Sequence, residues 1–119
     1  MDMILFEDNT IKITRGGILL KAYYFPFAGE KMIPMENIMQ AHIHKKFWMS
    51  TTWGLSNSVW WNRNYYRKRG CACIILRTGG MIMKGFSPDE GNIETTEKVG
   101  KLLLKLIPGG PGMVTFFGY

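Results

Sequence analysis

Carboxylates are missing from the middle of this chain of 119 residues: residues 37–88 hold no Asp or Glu. That gap leaves the middle of the chain without the acid that a carboxylate general base or a hard-cation site requires. Cysteine is nearly as scarce. Cys71 and Cys73 are the only two, too few for a disulfide framework or a four-cysteine zinc site, and their spacing in an expected strand reads as buried thiols. No apolar run reaches the ~18–20 residues that span a bilayer. The N-terminal segment carries acids where a secretory leader carries bases. A cytoplasmic protein without a transmembrane segment is the expectation. Catalytic signatures are also lacking. There is no glycine-rich phosphate loop, no nucleophile elbow and no His-Glu-x-x-His, and nothing around Ser50, Ser56, Ser58 or Ser87 activates a hydroxyl. We therefore expect neither an enzyme nor a bound cofactor or metal.

What is present suits one small domain. An apolar content of 46% can furnish a core, and a charged fraction of 20% does not suggest disorder. The net charge of +6 is unevenly spread. The acid-free span carries eight bases, whereas the remainder holds nine acids against seven bases. A basic surface and an anionic partner are possibilities that such a distribution raises.

Residues 11–15 alternate apolar and polar, which predicts a strand with one buried face. Gly16-Gly17 predicts a tight reversal into a second strand over residues 18–25. Residues 30–34 read as extended, residues 35–37 as a turn, and residues 38–47 as the longest strand. In that strand Met39, Ala41, Ile43 and Lys45 share the inward face, and Gln40, His42, His44 and Lys46 share the other. Two imidazoles are too few for zinc. Free to titrate near pH 6.5, they would add charge to a basic region. A loop and a strand near residues 58–65 follow, then an apolar strand over 71–77 and its hairpin partner over 81–86.

One helix is legible. Ser87-Pro88-Asp89-Glu90 has the form of a capping box, and Asn92 is a competing N-cap. Ile93, Thr96, Val99, Gly100, Leu103, Leu106 and Ile107 recur at helical spacing, with Glu94, Lys98, Lys101 and Lys105 opposite. Pro108 and the glycines after it end the helix. The tail, residues 113–119, is apolar enough to form an extra strand. The nine methionines read mainly as core filling.

Three stretches carry a resemblance. They are Lys31-Met32-Ile33-Pro34-Met35-Glu36-Asn37-Ile38, the aromatic middle with Trp53-Gly54, Trp60-Trp61 and Arg67 to Gly70, and Ile82-Met83-Lys84-Gly85-Phe86-Ser87-Pro88-Asp89. Together with the element order they resemble the bacterial pleckstrin-homology-like (PH-like) domain family over residues 9–107. The resemblance implies a mainly β fold: a partly open antiparallel β-barrel or sandwich of about seven strands, capped by one C-terminal α-helix. The single domain would cover residues 1–112. It also implies a binding or assembly module. Inositol-phosphate binding does not carry over, because Lys12, Arg15 and Lys21 do not match the family's usual basic spacing.

Two binding surfaces stand out. The tail residues Val114, Phe116 and Phe117 are candidates for self-association or for a protein partner, through pairing of a strand edge. The basic aromatic segment 44–69 supplies Lys45, Lys46, Trp60, Trp61, Arg63, Tyr65, Arg67, Lys68 and Arg69 as candidates for an acidic lipid surface or nucleic acid. In the alternative, those rings fill the barrel and the bases are solvated outside it.

Overall fold

Aliphatic alternation in the first third of the chain builds one sheet. Its strands are β1 (Ile4–Glu7), β2 (Ile11–Thr14), β3 (Gly17–Tyr24) and β4 (Gly29–Pro34), paired antiparallel in that order. The computed structural model describes residues 3–24, 29–45, 54–56, 59–61, 72–88 and 92–117. Register sets Ile11 opposite Leu20, Ile13 opposite Ile18, and Ile18 opposite Ile33. All five are buried on one face. Asp8 makes the β1–β2 turn, its Oδ1 accepting from the Thr10 amide and hydroxyl and from the Ile11 amide. Lys21 donates to Glu7 across the sheet at 2.9 Å and holds that carboxyl below its ordinary pKa.

A 3-10 turn at Met35–Asn37 carries the chain into a second sheet. Its strands are β5 (Gln40–His44), β6 (Gly54–Ser56), β7 (Val59–Trp61), β8 (Cys73–Arg77), β9 (Met83–Phe86) and β10 (Val114–Phe117). They lie in the order β10-β5-β8-β9-β7-β6. Two pairings, β10 with β5 and β7 with β9, are parallel. Ala41, Ile43, Ile74, Leu76, Phe86 and Val114 face the first sheet and join its isoleucines in one cluster. Helix α1 (Ile93–Leu106) adds Val99, Leu103 and, just past its end, Ile107. The result is a mainly β, partly open sandwich of two unclosed sheets, capped by a C-terminal α-helix.

Several expectations need correction. Ten strands are described rather than about seven. The strand expected over residues 38–47 starts at Gln40, and β3, with eight residues, is longer. Met39 is exposed, because it precedes the paired segment whose inward face holds Ala41 and Ile43. The helix is capped by Asn92, whose Oδ1 accepts from the Thr95 amide at 2.9 Å. Ser87 is buried and lies ahead of that start. Ile93 is 48% exposed, so the apolar stripe begins at Thr96. Most of the described methionines are not core filling: Met3, Met32, Met39, Met81 and Met113 are exposed, Met35 is buried in the core, and Met83 packs partly buried against a smaller cluster. Aliphatic side chains and Phe86 form the core, and Cys73 belongs to a smaller cluster with Val59 and Ile75 on the other face of the second sheet. The strand expected to run to residue 47 ends at His44, and exposed Lys45 is already outside it. Cys71, and the end of the strand expected near residues 58–65, lie outside the described residues.

Two substitutions test the packing. A β-carbon at Gly17 would run into the Ile33 carbonyl, a backbone atom held by pairing. Gly17→Ala is expected to lower stability by about 1–3 kcal/mol, as overpacking does. Gly80→Ala meets nothing within 4 Å and is expected to change stability by less than about 0.5 kcal/mol. Chemical denaturation of both variants compares them. Thr96 Oγ1 is buried with no hydrogen-bond partner among the described residues. Thr96→Val keeps the shape, removes that hydroxyl and is expected to raise stability by about 1 kcal/mol in the same assay.

Candidate functional site

The last strand is where the second sheet ends, and its residues divide by face. Parallel pairing sets Val114 opposite Ala41 and Phe116 opposite Ile43, on the core side. Val114 is buried, but Phe116 is 40% exposed. The helix comes so close that a β-carbon at Gly100 would stand 2.8 Å from both Ile43 Cγ1 and the Phe116 ring. Glycine at 100 is therefore what lets the helix lie down beside β10. On the other face Phe117 stacks on His44, with centroids 4.6 Å apart and planes at 7°, and meets His42 edge-on at 5.8 Å. Thr115, on that face, is exposed. Three of the four strand residues are thus locked into the sheet by their side chains, while the outer backbone edge of β10 has no strand beside it among the described residues.

The basic aromatic candidates are placed only in part. Lys45, just past β5, forms an ion pair with Glu97 of the helix at 3.4 Å. The acid-free middle of the chain is therefore met in space by an acid from the helix. Trp60 and Trp61 lie in β7, opposite Lys84 and Gly85 in register. Lys46, Arg63, Tyr65, Arg67, Lys68 and Arg69 lie outside the described residues. Of the first-sheet bases Lys12, Arg15 and Lys21, Lys21 is engaged with Glu7.

Two clefts open among the described residues. One, of about 470 Å³, runs between β1 and the helix, with Leu5, Phe6, Val99 and Leu102 as its apolar lining. Glutamates and lysines of the helix surround it with mixed charge. The other, of about 270 Å³, lies where β4 and the β8–β9 turn meet, and Lys31, Asn37, Thr78 and Lys84 line it with Met32 and Pro34. Linear charge counting missed this second cleft, because its two lysines are 53 residues apart. The signal that finds it is strand phase: both lysines continue an inward-facing alternation.

Among the described residues no helix is long and apolar enough to cross a membrane. No model of a known protein family matches the chain, and neither the curated proteins nor the solved structures searched include a significant match.

His42 departs from the expectation of free titration. His42 is half-buried, and desolvation, reinforced by the Arg77 charge, holds its pKa below 6.5. The unfolded chain then binds this proton at higher pH than the native protein does. Stability is expected to be intact above about pH 6.5 and to fall as the pH drops through the native value. Urea unfolding at a series of pH values between about 7.5 and 5 checks this. In His42→Gln the slope over that window should be shallower.

Proposed function

We propose that this protein is a non-catalytic assembly module of PH-like type that associates with a second copy of itself through the outer edge of β10. The element order, a four-stranded meander, a second sheet and a closing helix, supports the family reading. The difference between the four sheet edges carries the assembly reading. Edge strands are ordinarily blunted by charge, proline or shortness. β1 carries Glu7, β4 carries Glu30, Lys31 and Pro34, and β6 has only three residues. β10 reads Val-Thr-Phe-Phe, with no charge and no proline.

An edge of this kind is self-complementary. Two copies of β10 running antiparallel about a two-fold axis would join the six-stranded sheets of two molecules into one. Phe116 would bring apolar area to the junction, and Thr115 would sit beside its symmetry mate. Because Val114, Phe116 and Phe117 already pack on their own sheet, the strand needs no rearrangement before pairing, which keeps the ordering cost low.

Sedimentation velocity at two concentrations tests the proposal. The wild-type chain is expected to show a concentration-dependent dimer. Thr115→Lys places a charge at the edge without touching the core and is expected to weaken the dimer about tenfold or more, with an unchanged melting temperature. A monomer at all concentrations, or a dimer indifferent to Thr115→Lys, would sink the β10 proposal.

A further inference from the structure

A second binding site follows from the phase of two strands, independently of the β10 edge. Lys31 sits in β4 opposite Leu20 and two residues before buried Ile33, so it occupies an inward position of the first sheet. Lys84 sits in β9 opposite Leu76 and two residues before buried Phe86, an inward position of the second. Inward positions of a sandwich ordinarily carry apolar side chains. Here the unclosed end of the sandwich has one lysine from each sheet instead. Both are half-buried and line the same cleft of about 270 Å³.

Their hydrogen bonding is incomplete. The Lys84 ammonium donates to Thr78 Oγ1 at 2.8 Å and to the Ile82 carbonyl at 3.4 Å. An ammonium has three protons, and the third has no protein acceptor among the described residues. Lys31 has neither a hydrogen bond nor a carboxylate partner among them. Glu30 and Glu36 are near in sequence but do not line the cleft. Burial, with the charge on Lys31 as a second cause, lowers the pKa of Lys84. Two like charges directed into one partly desolvated space are unfavourable by themselves, and an anion between them reverses the sign of that interaction.

The geometry points to a phosphoryl-binding site at the mouth of the sandwich, with Lys31 and Lys84 clamping the anion from opposite sheets and Asn37 and Thr78 adding polar contacts. The Thr78 hydroxyl, which accepts from Lys84, keeps its own proton for a phosphate oxygen. The cleft is small for a drug-sized ligand and suits one phosphoryl group with a short attachment. The exposed Met32 at its lining offers an apolar surface for that attachment.

The test is a titration of inorganic phosphate into the full chain at constant ionic strength maintained with chloride. Backbone amides are followed by NMR, and the melting temperature is followed in parallel. Saturable shifts confined to Asn37, Thr78, Gly80 and Lys84, with a rise in melting temperature, are expected. Lys31→Gln and Lys84→Gln should each weaken phosphate binding about tenfold or more, the loss of one charge-assisted hydrogen bond. Arg77→Gln removes an exposed cation at the same turn that does not line the cleft, and should leave affinity unchanged. The wild-type shift map needs no variant, so a variant that fails to fold does not shelter the proposal. Shifts that never saturate, shifts spread over lysines generally, or an Arg77→Gln loss equal to that of Lys84→Gln would overturn it.

A second arm identifies the source of the phosphoryl group. It measures retention on phosphatidylcholine vesicles containing phosphatidic acid. Retention that free phosphate competes away and Lys84→Gln abolishes assigns the site to a lipid headgroup. Phosphate binding without vesicle retention assigns it to a soluble phosphorylated ligand.

Discussion

Burial of one shared aliphatic cluster is the constraint on which the rest of the structure rests. Ile11, Ile13, Ile18, Leu20 and Ile33 from one sheet, and Ala41, Ile43, Ile74, Leu76 and Phe86 from the other, meet only if every strand keeps its phase. Side chains alternate with a period of two, so a slip of one residue would turn a whole row toward solvent. Two glycines permit close approaches, one within the first sheet and one between helix and second sheet. Gly17 allows the Ile33 carbonyl to pass, and Gly100 allows the helix to settle on Ile43 and Phe116. The helix end adds Leu103 and Ile107 to the same cluster.

That constraint also decides what is left over. Two sheets that share a core without closing into a cylinder leave strand edges at their sides and openings at their ends. The edges of the first sheet carry charge, whereas the second sheet ends in a three-residue strand on one side and in uncharged β10 on the other. At one opening the inward alternation continues past the last isoleucine and the last phenylalanine into lysine. Both candidate sites are thus products of strand phase and sheet order, and neither needs a special loop.

Much of the architecture was legible because its signals are local. Alternation over residues 11–15, the Gly16-Gly17 reversal, the turn at residues 35–37 and the helical stripe from Thr96 to Ile107 each need only a few neighbouring residues. Strand extents were less legible, since pairing partners decide them: Met39 has the composition of its strand but lies just ahead of the paired segment. Parallel pairing of β10 with β5 joins residues about 70 positions apart and has no local signature. The methionines misled for a related reason. Hydropathy predicts burial, yet Met81 at 94% exposure sits on a hairpin turn where no second layer reaches it.

Charge was the least legible property, and the physical reason bears on where a ligand is to be sought. Counting along the chain drew attention to residues 44–69, where bases are dense. Field strength at a binding site, however, depends on which charges converge and on what neutralises them. Lys45 belongs to that dense region, yet Glu97 reaches it from the helix, leaving an exposed ion pair of small net effect. Lys21 is likewise answered by Glu7. Lys31 and Lys84 come from sparse stretches, but their strands bring both to one opening that no carboxylate lines among the described residues. Two cations that converge on one opening attract an anion more strongly than single cations that each already have a carboxylate partner, as Lys45 and Lys21 do.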